Sequence, residues 1–321
     1  MSIDNVLVSI CCLTFNHENY VRKTLDGFLM QKTDFKYEIL IHDDCSTDNT
    51  AKIIKEYEEK YPEIIKPIYQ KENQHSKGVK ISWTYQIPRA CGRYIAVCEG
   101  DDYWTDPYKL QKQFDLMEKN KNCSVCCHKV GSINADGSKT EGTFPNKQIP
   151  DVLNQEEFVK EVANSYQFQT SSYFIRSEVL KQYVGNIPEF SSKMKVGDVG
   201  WLLMCAKEGA LCYIDEEMSV YRRNVPGSWS DRQKSEGKRL KQSENYINGL
   251  REYDKFTDFK YHDYIDYAIA KCNFSNLYNQ NKYKEMLLKE NKLFFKALPL
   301  KSRIIIVGFA LFPFLRNIFK K

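Results

Sequence analysis

Apolar and polar positions follow two alternating rhythms along the first hundred residues. Val6 to Leu13 is a nearly unbroken apolar run, the signature of a strand buried on both faces. The next stretch, "NHENYVRKTLDGFLMQ", places Tyr20, Val21, Leu25, Phe28 and Leu29 on one face of a helix. "YEILIHDDC" returns to the strand pattern and ends in acids. "STDNTAKIIKEYEEKYP" opens with capping residues, Asp48 among them, carries Ile53, Ile54 and Tyr57 on one side, and stops before Pro62. "IIKPIYQ" is a weaker strand, a helical piece spans Trp83 to Ala90, and "RYIAVCEG" is a strand again. Strands alternating with helices predict an α/β architecture, a mostly parallel sheet flanked by helices, with ligands at the carboxyl ends of the strands. Both acid pairs, Asp43-Asp44 and Asp101-Asp102, fall at such ends.

Beyond Trp104 the rhythm changes. "DPYKLQKQFDLMEKN" predicts a helix with Leu110, Phe114 and Met117 on one side. "SVCCHKVGSIN" predicts a strand that ends in a turn at "ADG", and "TSSYFIR" another strand. "VGDVGWLLMCAKEG" predicts a short helix entered through Gly197 and Asp198, followed by the pieces "ALCYID" and "MSVYRRNVPGSWS". From about Glu236 the chain is polar, rich in tyrosine and helical in character. The last apolar run, Ile304 to Leu315, is too short to span a bilayer, which takes about 20 residues. It reads as an interfacial anchor or as a helix docked on the protein.

Charge sharpens this division. The chain of 321 residues has a net charge of +5, yet residues 289–321 set eight basic residues against Glu290 alone, leaving −2 for everything before them. The basic character belongs to the tail, so nucleic acid is not the expected partner of the body, while an anionic membrane surface suits the tail. Eleven cysteines, several inside apolar strands, predict small core fillers in a cytoplasmic, reducing setting. "CSVCCH" has no second Cys or His pair at finger-like spacing, which disfavours structural zinc. "VLVSICCLTF" lacks a basic leader and a cleavage site and carries Asp4 before it, so it is expected to be the first strand and not a signal peptide.

Adjacent carboxylates at a ligand-binding mouth need a countercharge. If the mouth takes a nucleoside diphosphate, Mn2+ or Mg2+ supplies it, since these ions pair one or two carboxylates with phosphate oxygens. One acid of Asp101-Asp102 then holds the metal and its neighbour accepts from a ribose hydroxyl. Asp44 is placed to read a base N–H, and Phe15 to stack on the base. Neither GxxxxGK[ST] nor GxGxxG follows the first strand, which argues against a P-loop NTPase and a dinucleotide-dependent dehydrogenase. A nucleotidyltransferase would show a Gly-rich loop where "TFNHENY" stands, and a non-catalytic scaffold would not need Asp44, Asp102 and Asp198 together.

"VSICCLTFN", "ILIHDDCSTDNT" and "YIAVCEGDDYW", in this order, resemble glycosyltransferase family 2 over residues 6 to about 230. The resemblance implies the GT-A fold and an inverting, metal-dependent transfer from a nucleotide-diphosphate sugar, UDP-linked by expectation, to a glycan or lipid-linked acceptor in surface polysaccharide synthesis. It implies base stacking for Phe15, base recognition for Asp44, a DxD-type pair in Asp101 and Asp102 with Asp102 as main metal ligand, and catalytic-base duty for Asp198. Asp198 reads equally as the cap of its helix. The departures are Leu13 in place of Pro, Cys45 in place of Gly, and Gly197 before Asp198 in place of Glu. Lys77 is a candidate phosphate contact, Trp104 and Trp201 are candidate sugar platforms, and Arg222, Arg223, Ser228 and Trp229 lie where the family carries a loop over the diphosphate. The organisation expected is a GT-A domain over residues 1–235 (nucleotide-sugar-binding half 1–105, acceptor-binding half 106–235), a helical extension over 236–300, and a basic, apolar membrane-associating tail over 301–321 on the cytoplasmic face.

Overall fold

The computed structural model describes residues 6–165, 167–194, 197–228 and 236–314. Nine strands form one sheet: β1 (Val6–Thr14), β2 (Lys36–Asp43), β3 (Ile65–Tyr69), β4 (Tyr94–Val97), β5 (Tyr103–Trp104), β6 (Cys123–Asn134), β7 (Val152–Leu153), β8 (Phe174–Arg176) and β9 (Ala210–Arg223). Their order is β3-β2-β1-β4-β8-β6-β9-β5, with β7 on β9. The first four strands are parallel, as the alternating pattern predicts. Antiparallel pairing enters at β8, while β6 and β9 are parallel to each other.

Alternating side chains sort the sheet into two cores. Val8, Ile10 and Cys12 of β1 pack with Val21, Leu25, Phe28, Ile53, Ile54, Leu110 and Met117, which come from the helices Val21–Leu29, Thr50–Lys60 and Lys109–Lys119. Cys11 of β1 faces the other side, with Phe158, Val162, Leu180, Leu202 and Leu250 of the helices Gln155–Ser165, Ser177–Lys181, Gly197–Glu208 and Glu236–Phe256. Both faces are covered, so β1, β2 and β4 tolerate continuous apolar sequence. All eleven cysteines are unpaired thiols, and burial pushes that of Cys11 up to about 12.

Three sequence expectations change in detail. The piece around Trp83 to Ala90 is a π turn over Ser82–Gln86 followed by a 3-10 turn over Ile87–Arg89; Pro88 forbids a regular helix there, and Gln86 donates instead to the carbonyls of Cys12 and Leu40 at 2.8 and 3.2 Å. Of "TSSYFIR", only Phe174–Arg176 is strand, because Thr170–Ser172 closes a 3-10 turn. "ALCYID" and "MSVYRR" join into one fourteen-residue strand, β9.

The tail forms the helix Leu300–Leu311, and its Ile306 and Ala310 pack on Phe274, Tyr283 and Met286. On this face the docked-helix alternative holds. Ile304, Leu311, Phe312 and Phe314 stay exposed. No helix among the described residues is long and apolar enough to cross a membrane.

Candidate functional site

Register brings the strand ends level. Thr14 of β1 pairs with Asp43 of β2, and Cys11 of β1 with Val97 of β4, so Phe15, Asp44 and the Glu99–Asp102 turn leave the sheet at one edge. Gly100 makes the turn possible: its N–H donates to Leu13 O at 2.9 Å, and a Cβ there would lie 2.5 Å from Thr14 Cγ2 and 2.8 Å from His17 Nδ1. Thr24, on the first helix, clamps the turn from below, its Oγ1 bonding the Gly100 and Asp102 carbonyls at 3.0 and 2.6 Å. Beyond it, Tyr103 pairs with Val220, which delivers Arg222 of β9 to the acids.

The acids differ in how they are held. Asp43 is structural: it accepts from Thr14 Oγ1 at 3.1 Å and from Ser46 N and Oγ at 3.1 and 2.5 Å. Asp44 is buried and accepts the backbone N–H groups of Gln74 and His75 at 2.7 and 3.0 Å. Asp102 is buried, and its Oδ1 accepts Arg222 N–H at 2.8 Å. Burial, then the charges of Asp101 and Glu99, raise its carboxyl well above the usual range. Glu99 opens to solvent on the cleft floor; the protein around it, then Asp101 and Asp198, lift it to about 8. His17 Nε2 stands 3.9 Å from Asp101 Oδ2. The Arg222 guanidinium donates to Asp101 O at 3.0 Å and lies 4.6 Å over the Tyr20 ring.

Phe15 is exposed just past β1, as a stacking face requires. Asp198 lies in the first turn of Gly197–Glu208, where its Oδ1 accepts the Val199 N–H at 3.0 Å, and its charge reaches Glu99. Other candidates are engaged by the protein itself. Trp104 is buried, its ring edge-on to Phe28 at 4.7 Å and under Lys109 Nζ at 4.0 Å, with Nε1 donating to Ser171 O at 3.0 Å. Trp201 is buried edge-on to Trp83 at 5.7 Å. Neither offers a face to a sugar. Lys77, on the turn His75–Lys77, is ion-paired with Glu72. Arg223 lies over Phe144 at 4.9 Å, and Ser228 N bonds Val225 O at 3.1 Å. Trp229 lies outside the described residues.

Sequence reasoning passed over His17, Tyr20 and the catalytic-side placement of Glu99. The signal for the first two was their position straight after β1, at the same mouth as the acids. It also passed over the Cys45 backbone, which has φ 64°, in the left-handed region that favours glycine.

A sheet of this order with acids at the ends of β2 and β4 defines a GT-A glycosyltransferase fold. S. aureus TarS in complex with UDP-GlcNAc superposes with a TM-score of 0.56 at 15% identity, over 94% of this chain and 80% of that one. The mannosyltransferase PcManGT from Pyrobaculum calidifontis, in complex with GDP-Man and Mn2+, gives 0.50 at 11% identity, over 95% and 87%. The chain belongs to glycosyl transferase family 2, whose model matches residues 9–184. An uncharacterized protein of Mycobacterium tuberculosis is 35% identical over 229 residues, 69% of this chain and 60% of its own. The putative teichuronic acid biosynthesis glycosyltransferase TuaG of Bacillus subtilis is 37% identical over 132 residues, 41% of this chain and 50% of its own. The matches thus span 50–60% of the length of these curated relatives.

Proposed function

We propose that the protein transfers a sugar, with inversion, from a UDP-sugar to a hydroxyl of a glycan or lipid-linked acceptor in surface polysaccharide synthesis. One observation supports the reading: Phe15, Asp44 and the Asp101-Asp102 pair follow the carboxyl ends of β1, β2 and β4, and the charge of Asp198, from a fourth point of the chain, reaches Glu99 in the same turn. TarS with UDP-GlcNAc supports a UDP donor, and TuaG supports a polysaccharide product.

Phe15 takes the face of the base and Asp44 its N–H edge. Asp44 keeps capacity for this, since a carboxylate offers about four lone-pair sites and two are used by Gln74 and His75. Asp198 removes the proton from the acceptor hydroxyl as that oxygen attacks the anomeric carbon and the nucleoside diphosphate departs. Arg222 holds the Asp101-Asp102 turn in place through its backbone N–H and guanidinium.

Asp102 and Asp101 fit a divalent cation. They are hard oxygen donors, and burial, then the charges of Asp101 and Glu99, raise the Asp102 carboxyl. Among the described residues no three His, Cys, Asp or Glu side chains form a complete cage, so diphosphate oxygens would finish the shell. When bound, Mn2+ or Mg2+ would supply Lewis-acid stabilisation of the leaving diphosphate. The exposed apolar face of Leu300–Leu311, with Lys301 and Arg303 beside it, supports peripheral attachment to the cytoplasmic membrane face.

Titration calorimetry of UDP, GDP and dTDP, with and without Mn2+, tests the reading. UDP should bind tightest and only with Mn2+, and Asp102→Asn should remove that dependence while the far-UV spectrum persists. Unchanged Mn2+-dependent UDP affinity in Asp102→Asn overturns the metal assignment.

A further inference from the structure

A second cavity of about 790 Å³ lies away from the acidic cleft, between the helix Glu189–Met194 and the helix Glu236–Phe256. The two helices pack closely because Gly249 has no side chain: a Cβ there would sit 2.1 Å from Met194 Cγ and 3.0 Å from Phe190 O. Ser192, Asn245, Asn248, Arg251, Asp254 and Phe259 line it.

The lining has an unusual balance. Three carboxylates, of Glu189, Glu252 and Asp254, meet three cations, of Lys193, Arg251 and Lys255, so the wall has no net charge. Lys193 is paired with Glu189 and Glu252, both at 2.8 Å, and Lys255 with Glu252 at 3.2 Å. What stays available is directional. Asp254 is more than nine-tenths buried; its Oδ2 meets His262 Nδ1 at 2.7 Å, while its Oδ1 has no hydrogen-bond partner among the described residues. A buried orphan acceptor costs about 1–3 kcal/mol unless something donates to it. Beside it Phe259 is 59% exposed, an unusual setting for a large aromatic, and its backbone is held at φ 59° after Asp258 at φ 50°. The chain spends strain to present this ring.

A neutral wall, amide and hydroxyl groups, one buried acceptor and one bare aromatic face match a chain of sugar rings: hydroxyls donate to Asp254 and accept from Arg251 and the amides, and an apolar sugar face covers Phe259. Phosphate or uronate chains would meet the carboxylates of Glu189, Glu252 and Asp254, and with Lys193 and Lys255 already paired only Arg251 would remain to offset them. At the cavity rim Lys80 donates to Ser192 Oγ at 2.5 Å, and the chain links the cavity to the candidate base, since the helix carrying Asp198 begins three residues after Met194.

We propose that this cavity is a subsite for a neutral oligosaccharide segment of the acceptor, with Asp254 as its hydroxyl anchor and Phe259 as its stacking platform. The assignment rests on the transferase reading for the word acceptor, but not for the binding itself.

The test is saturation-transfer NMR on the full chain, using neutral oligosaccharides of two to six hexose and N-acetylhexosamine units and a matched phosphorylated and uronic-acid panel. Binding of a neutral oligosaccharide is expected, weakened roughly 10-fold or more in Asp254→Asn and in Phe259→Ala, as expected for loss of a hydrogen bond to a charged group or of a stacking face. UDP affinity should be unchanged in both. In turnover, KM for the acceptor should rise with kcat retained. Phe259→Ala removes an exposed ring, so it keeps the test decisive if Asp254→Asn unfolds. No binding of neutral sugars, equal binding by Phe259→Ala, or binding of the anionic panel alone overturns the subsite. Loss of UDP binding by the unaltered protein overturns the transferase reading instead, and sugar binding that is still sensitive to Phe259 would then leave the subsite standing.

Discussion

Lys109→Met tests how the turn that carries Asp101 and Asp102 is propped. Lys109 has no exposed surface; its Nζ lies 4.0 Å over the Trp104 ring and 2.7 Å from Gln113 Oε1. Burial lowers it to about 7. In the unfolded chain a lysine titrates near 10.4, so between these values the unfolded state binds the extra proton, and stability rises with pH. Below about pH 7 both states are protonated and the fold bears the whole cost of the buried charge. At about 1.4 kcal/mol per unit, the unaltered protein should gain roughly 3 kcal/mol from this group between pH 7 and 9.5. The Trp104 contact favours the charged form by about 2 kcal/mol when desolvated, so roughly 3 is a ceiling and about 1 a floor. Methionine fills the same space without a charge and should erase this slope. Gln113 loses a donor, which costs about 1 kcal/mol at every pH and moves the offset only. Thiols and phenols titrate alike in both proteins, so the difference between their urea midpoints at pH 6.5 to 9.5 isolates Lys109. Parallel midpoints across that range would refute the reasoning.

Other expectations follow from the same geometry. Asp198→Asn should preserve the Val199 cap bond and UDP affinity but slow transfer by roughly 10²- to 10⁴-fold, measured as UDP release; near-normal turnover would return Asp198 to a capping role. Cys45→Gly should relieve a left-handed φ that costs about 1–2 kcal/mol, less about 0.5–1 for glycine's chain entropy, and raise the thermal midpoint slightly; a lowered midpoint would show that the thiol is needed. Gly100→Ala should displace the turn from β1 and lower both stability and Mn2+-dependent UDP binding, read by calorimetry. Ile304→Glu with Leu311→Glu should abolish sedimentation with anionic liposomes while the helix stays docked through Ile306 and Ala310; unchanged sedimentation would sink the anchor.

The first strands were legible because β1, β2 and β4 are short apolar runs covered on both faces, and β2 and β4 run into acids, a pattern that carries its own boundaries. The strand-end placement of Asp44, Asp101 and Asp102 was legible for the same reason. Trp104 was misread because a local pattern does not tell a ring that leaves the mouth from one that turns into the core; Gly27 and Phe28 on the first helix decide that, seventy-odd residues away. Family likeness put Arg222 in a loop over the diphosphate, whereas it lies in β9 and is brought to the acids by the pairing of Tyr103 with Val220. The two pieces of β9 looked separate because Asp215, Glu216 and Glu217 interrupt the apolar pattern. In the fold they stay in the strand while lying at or near the surface.

The sheet edge also shows how a protein separates acids that build from acids that bind. Asp43 receives three hydrogen bonds from its own neighbourhood, and its charge is spent holding Thr14 and Ser46 in place. Asp44 receives two backbone amides, which fix its direction and leave lone pairs over. Asp102 receives one amide from Arg222; burial, then the like charges of Asp101 and Glu99, raise it where a satisfied carboxylate would be lowered. Arg222 does not cancel that repulsion, because its guanidinium is turned to the Asp101 carbonyl and the Tyr20 ring. On the proposed transferase reading, a divalent cation would relieve this repulsion and the donor's diphosphate would share it, so nucleotide affinity without metal should be weak.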